Sequence, residues 1–231
     1  MKRRTKIVAT LGPASDDPAT LRDMIKAGLD VARLNFSHGN QDEQKARLER
    51  LREAAADCDD VVGVIGDLQG PKIRVRRFRK SNVTLKKGDT FFLDPALGEL
   101  EGTGKGVGVA YDNFHNDVSP GDVLLLNDGQ ITLVVDDIEG TCVKTTVSIG
   151  GVLSDHKGIN RLGGGLSAPA LTDKDRADIR FAAELGMDYI AISFVRNADD
   201  VREARQLFEG AGGKGKVIAK IERIEALDEI D

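Results

Sequence analysis

The sequence predicts an α/β fold, in which βα units around a parallel sheet are interrupted by an inserted all-β domain. Three observations carry that prediction. Strand-like runs alternate with amphipathic helical runs at both ends of the chain, with short connections between them. From about Lys72 to Gly165 the helical period is absent and short β-rich runs replace it. Several strands outside that stretch end on charged or polar residues, which a strand buried on both faces does not ordinarily carry. The 231 residues are 40% hydrophobic, enough to bury at least one full core.

Taken in order, residues 6–10 form a first strand, followed by Gly12-Pro13. Asp17 then caps a helix with Pro18 at its first position; Leu21, Met24 and Ile25 give it an apolar stripe and Gly28 closes it. Residues 31–36 form a second strand. Asn40 caps the next helix with Glu43 three residues on, and Leu48, Leu51 and Ala55 line its inner face. Residues 61–65 form a third strand that ends at Gly66-Asp67. The β-rich runs are 83–85, 90–93, 123–126, 131–135 and 143–147. They are separated by the turns Lys87-Gly-Asp, Pro120-Gly-Asp, Asn127-Asp-Gly and Glu139-Gly-Thr, and read as a small barrel. Thr172 and Asp175 form a capping box for a helix that ends at Gly186. Residues 189–194 are a fourth strand, Asn197 caps a helix with Val201, Ala204 and Phe208 inward, and residues 217–221 are a fifth strand buried on both faces. Gly28-x-Asp30 and Gly186-x-Asp188 echo one another, each with a phenylalanine eight residues past its glycine (Phe36, Phe194).

Composition excludes several classes of function. The net charge of −5 is mixed along the chain, with no nucleic-acid footprint and no membrane-binding surface. No apolar run is long enough to span a bilayer, and Met1-Lys-Arg-Arg-Thr5 leads into a strand rather than a signal peptide. Cys58 and Cys142 have no metal-ligand spacing, and His38, His115 and His156 are scattered. A soluble, cytoplasmic protein with reduced thiols is the expectation.

The chemistry lies at the strand ends. Lys220 and Glu222 are two apart at the end of the fifth strand and so point to one side. They form either an internal ion pair or a site for a metal or substrate. Arg33, Asn35 and Ser37 alternate with Ala32, Leu34 and Phe36, so the polar set lines one face of the second strand. Asp67, Lys72 and Arg74 follow at the third strand, around Gly70-Pro71. If the sheet closes as a (β/α) barrel, these groups and His38 gather at its carboxyl-terminal mouth, where such barrels keep their active sites. Guanidinium forks and ammoniums suit phosphate oxygens, and carboxylate, amide and hydroxyl oxygens suit hard cations. That is equipment for phosphoryl transfer, although there is no Walker-A loop and no kinase-type glycine-rich loop. Gly163-Gly-Gly165 lacks a following Lys-Ser/Thr and reads as a flexible hinge.

Residues 6–15 (KIVATLGPAS), 33–39 (RLNFSHG), 67–74 (DLQGPKIR), 155–160 (DHKGIN) and 218–222 (IAKIE) together resemble the pyruvate kinase family, in order and through the whole chain. The resemblance implies a partial TIM (β/α)8 barrel: first part in 1–71, an inserted β-barrel lid in 72–165, and the barrel continued in 166–231, stopping after the fifth strand. It implies phosphoryl transfer from phosphoenolpyruvate to ADP, giving pyruvate and ATP in glycolysis, with Mg2+ or Mn2+. By that resemblance Lys220 and Arg33 are catalytic, Lys220 at the phosphoryl group in flight and the enolate oxygen, and Arg33 at the substrate phosphate. Glu222 holds Mg2+. Asn35, Ser37, Asp67 and the carbonyl of Leu68 match a K+ shell. Asn35, Phe36, Ser37, His38, Arg74 and Lys157 match contacts to the nucleotide phosphates. Lys72 stands where potassium-dependent relatives carry glutamate, so its ammonium replaces K+. A homotetramer is implied for the full-length enzyme, and this chain reads as an incomplete amino-terminal part with half of the metal shell. Two other readings stand beside it: a catalytically inactive nucleotide-binding fragment, and a Mg-dependent lyase or aldolase that handles pyruvate enolate on a similar barrel.

Overall fold

A computed structural model describes residues 4–230. In chain order its elements are β1 (Val8–Leu11), α1 (Pro18–Lys26), β2 (Val31–Asn35), α2 (Gln41–Asp57) and β3 (Gly63–Asp67). Then come β4 (Asn82–Leu85), β5 (Thr90–Asp94), β6 (Gly106–Gly108), β7 (Val123–Leu126), β8 (Ile131–Glu139), β9 (Cys142–Ile149), β10 (Gly151–Ser154) and β11 (Ile159–Arg161). The chain finishes with α3 (Asp173–Glu184), β12 (Tyr189–Ile192), α4 (Ala198–Gly210) and β13 (Lys216–Ala219). They divide into two compact units, Met1–Pro71 with Pro169–Asp231, and Lys72–Ala168.

The first unit is a five-stranded parallel sheet in the order β1-β2-β3-β12-β13. The helices begin where the sequence places their caps. Asp17, Asn40, Thr172 and Asn197 each accept a hydrogen bond from the backbone N–H three residues on, satisfying a donor that the helix leaves unpaired. Leu21 and Ile25 of α1, Leu48 and Leu51 of α2, Ile179 and Ala182 of α3, and Ala204 and Phe208 of α4 join the buried strand residues in one core. Register sets the site: Asn35 lies opposite Asp67 across β2 and β3, and Asp67 lies opposite Ala191 across β3 and β12.

The strands depart from expectation at their ends. β1 starts two residues later than expected and ends one later, at Val8–Leu11. β3 begins at Gly63, and Val61 is 87% exposed. The strand runs through Gly66 to Asp67, two residues past the expected end at Ile65. Gly66 is needed for packing, since a Cβ there would come within 2.8 Å of Met187 Sδ and 3.2 Å of the Phe36 ring. β12 ends at Ile192, two residues early, because Phe194 turns into the left-handed region at φ 57°. β13 ends at Ala219 and is not buried on both faces. Lys216 and Ala219 are exposed and Val217 and Ile218 half-buried, because β12 is its one neighbour among the described residues.

The repeated Gly-x-Asp has a physical reason. Gly28 (φ 103°) and Gly186 (φ 62°) both end a helix in the left-handed region that glycine favours. Each aspartate then tethers the adjoining chain: Asp30 Oδ2 accepts from Ile7 N–H at 2.7 Å, and Asp188 Oδ2 from Val64 N–H at 2.8 Å. The phenylalanines are not equivalent, since Phe36 is buried and Phe194 half-exposed.

In the second unit a six-stranded sheet runs in the order β11-β7-β8-β9-β5-β6, beside the two-stranded ribbon β10-β4. Its two edges are joined by residues 73–76. On one side Val75 N–H donates to Lys157 O and Ile159 N–H to Ile73 O, both at 2.9 Å. On the other Arg76 N–H donates to Gly108 O at 2.7 Å and Ala110 N–H to Arg74 O at 2.9 Å. The sheet thus closes into a barrel, which leaves those edges no unpaired row. Phe91, Leu93, Val107, Leu124, Leu133 and Val143 fill the interior. Gly88, Gly121, Gly129 and Gly140 all have positive φ, as the turn sequences require. β6, β10 and β11 arise from stretches without apolar alternation. Leu166 and Ala168 pack in this core, so the unit runs beyond the glycines at 163–165.

Candidate functional site

Asp67 closes β3 and is only 2% exposed. A buried carboxylate is costly unless it is paired, and here two cations hold it. Arg33, on β2, donates from Nε to Asp67 Oδ2 at 2.7 Å and from Nη1 to Thr10 Oγ1 at 2.8 Å. Lys220 donates from Nζ to Asp67 Oδ1 at 3.2 Å and to Ser193 Oγ at 2.7 Å. Ser193 is itself buried and its hydroxyl donates to Leu68 O at 2.7 Å. Lys220 Nζ also lies 3.3 Å from Glu222 Oε1, while Glu222 Oε2 accepts the Phe194 N–H at 2.9 Å. Lys220 and Glu222 are just beyond β13 rather than on it. They face one another nonetheless, because Lys220 N–H continues the ladder to Ile192 O at 3.0 Å.

The turn at residues 35–38 adjoins this network. Ser37 N–H donates to Asn35 Oδ1 at 3.0 Å, His38 N–H to Asn35 O at 3.2 Å, and Phe36 N–H to Asp67 O at 2.9 Å. Phe36 is buried against Phe181, with ring centroids 6.1 Å apart, and His38 is exposed. Arg33, Asp67, Leu68, Lys220 and Glu222 therefore form one connected network, and Asn35, Phe36, Ser37 and His38 its neighbouring turn.

Thr10, Ser193 and the Phe194 N–H belong to the network and were not anticipated. Ser193 carried a usable signal: it is a polar residue directly after an apolar strand, as Asn35 is at the end of β2. Gly70 supports them. With φ 66° it lies so close that a Cβ would come 2.8 Å from Ser193 Cβ and 2.9 Å from Phe194 Cδ2. Its N–H donates at 3.0 Å to the fully buried Asp175, which also receives the Thr172 hydroxyl. The Arg223 guanidinium lies 5.8 Å above the Phe194 ring.

In the second unit, the barrel seam makes Arg74 and Lys157 neighbours. Arg74 bridges to Gly158, and its Nη1 donates to His156 O at 2.8 Å. Lys72 Nζ lies 3.7 Å from Asp128 Oδ1.

Among the described residues no group of three or more His, Cys, Asp or Glu side chains is arranged to hold a metal ion. Asp67 is buried between two cations, whereas Glu222, which meets Lys220 and the Phe194 N–H, keeps 35% of its side chain exposed and is the more open of the two carboxylates. Mg2+ is commonly held by one or two carboxylates together with substrate oxygens and water, and Glu222 fits that kind of shared site. The oxygens of Asn35, Asp67 and Leu68 each accept a hydrogen bond already, and carbonyl and carboxylate oxygens retain a second lone pair.

A parallel βα sheet with its charges collected at the carboxyl ends of the strands places the first unit in the (β/α)-barrel class. The model of the pyruvate kinase barrel domain matches residues 2–231, and the chain belongs to that family. It is 52% identical over 225 residues to pyruvate kinase II of Salmonella typhimurium, covering 97% of this chain and 47% of that protein. It is 49% identical to pyruvate kinase of Haemophilus influenzae over the same length, and 43% identical to that of Mycobacterium tuberculosis over 231 residues. The chain spans about half the length of the curated relatives it matches. No described helix is long and apolar enough to cross a membrane.

Proposed function

We propose that this chain carries the Lys220-centred part of a pyruvate kinase active site, and that the protein transfers phosphate from phosphoenolpyruvate to ADP. The observation that carries the reading is the Lys220 ammonium, held at once by Asp67, Ser193 and Glu222. A fixed cation costs no reorganisation when negative charge develops beside it, which is the main source of catalysis in phosphoryl transfer. In this reading Lys220 stabilises the phosphoryl group and the enolate oxygen, and Arg33, turned toward the same space by Asp67 and Thr10, receives the substrate phosphate. Glu222 holds Mg2+, which when bound supplies charge neutralisation on the phosphate and enolate oxygens. The turn at 35–38 and the seam residues Arg74 and Lys157 meet the nucleotide phosphates. A homotetramer in the cytoplasm belongs to the same proposal.

The test is phosphoenolpyruvate-dependent ATP formation by the purified protein with Mg2+, beside Lys220→Ala. Loss of roughly a hundredfold or more in kcat is expected, the size typical of removing one preorganised electrostatic group. Activity indifferent to that change would overturn the assignment of Lys220, and ADP binding in calorimetry without turnover would favour a nucleotide-binding role alone. Lys72 leads to a second expectation. Its ammonium supplies the fixed charge that K+ would bring, so turnover proceeds without K+, and a strict K+ requirement in a titration would refute this.

A further inference from the structure

Gln44 of α2 and Lys174 of α3 have no part in the network around Asp67, yet both reach the turn at 35–38. Gln44 Nε2 donates to Asn35 O at 3.1 Å and to His38 O at 2.7 Å. Lys174 Nζ donates to Phe36 O at 2.8 Å. Two side chains from two helices thus take three backbone carbonyls of a four-residue turn. We propose that Gln44 and Lys174 are positioning residues that set the geometry of this turn and, through it, nucleotide affinity. The second part of that statement rests on the reading of residues 35–38 as a nucleotide contact.

Each donor is itself held. Gln44 is 4% exposed, and its Oε1 accepts from Arg47 Nη1 at 3.3 Å, which turns the amide nitrogen toward the carbonyls. Arg47 in turn grips Asp16 through two hydrogen bonds of 2.8 and 3.0 Å. Lys174 pairs with Asp178, which also receives Gln41 Nε2 at 3.3 Å. Behind these donors is a cleft of about 310 Å³ bordered by Phe36, Gln41, Gln44, Lys174, Asp178 and Phe181. Phe36 anchors the middle of the turn by packing, but the cleft beside Gln44 and Lys174 is open space, so carbonyls released by either donor would meet water rather than a packed side chain.

The deciding variant is Gln44→Glu, which keeps size and shape but presents an acceptor where two carbonyls need a donor. Lys174→Met, which keeps the stem and removes the ammonium, is the independent second variant. Amide hydrogen exchange at residues 36–38 is expected to quicken in both, while exchange elsewhere in α2 and α3 is retained. By calorimetry ADP affinity is expected to fall roughly tenfold, as for one lost hydrogen bond, with phosphoenolpyruvate affinity changed less than about twofold. Unchanged exchange at the turn in both variants would overturn the proposal, as would equal loss of both ligands. If the unaltered protein binds no ADP, the nucleotide reading fails, and the exchange contrast still decides whether these side chains position the turn.

Discussion

Asp67 shows how much of the site depends on one carboxylate. Its two oxygens divide between Arg33 and Lys220, so Asp67→Asn would set an uncharged amide against two cations and turn an N–H toward one of them. Removing one partner of a buried ion pair is costly, but Arg33 and Lys220 keep about a third of their side-chain surface in water (33% and 30%). A loss of about 1–3 kcal/mol in urea unfolding is therefore expected, together with loss of turnover. Asp16 gives a pH-dependent counterpart. The hydrogen bond from Arg47, against the opposing effect of burial, holds its carboxyl below the ordinary value of 3.8. A depressed folded-state pKa contributes stability that is present above that ordinary value and is lost as pH falls through the folded one. Arg47→Met should therefore lower stability near neutral pH, and the gap to the unaltered protein should narrow below about pH 4. A gap that does not change with pH would assign the effect of Arg47 to packing.

At the scale of elements, helix starts were legible and strand ends were not. Each cap is a local event between a side chain and an N–H three residues away, so Asp17, Asn40, Thr172 and Asn197 could be read without knowing what surrounds them. A strand stops where its neighbours stop pairing, which depends on register across the sheet. Val61 looked like a strand residue by type and is in solvent, while Gly66, expected to end the strand, is a packing position inside it. The site divides in the same way. Lys220 and Glu222 stood out by their spacing. Ser193 offered a weaker signal, a polar residue directly after an apolar strand, and Thr10 offered none, because its hydroxyl acquires a role only when the sheet brings Arg33 to it. The contact between the segment after β3 and the end of β12 can be tested directly. Gly70→Ala would both force alanine to φ 66° and push a methyl into Ser193 and Phe194. A cost of about 2–4 kcal/mol in thermal unfolding is expected, from backbone strain plus overpacking. A fall in melting temperature too small to resolve would show that the two segments separate easily.

At the scale of the whole molecule, the two units have separate cores. The barrel of Lys72–Ala168 has its own hydrophobic interior and its two sheet edges joined, so this segment expressed alone is expected to unfold in one cooperative transition with a β-type circular dichroism spectrum. A spectrum without β structure would show that its core needs the rest of the chain. The seam that joins the edges also has a consequence in time. Arg74 and His156, which it brings into contact, are 82 residues apart, and so distant a pairing carries a loop-closure cost before any contact rewards it. During synthesis the guanidinium at 74 leaves the ribosome long before the carbonyl at 156, and the two meet only when the closing strand is in place. The contact is absent from every shorter nascent chain, so the barrel closes only after its whole length has been made.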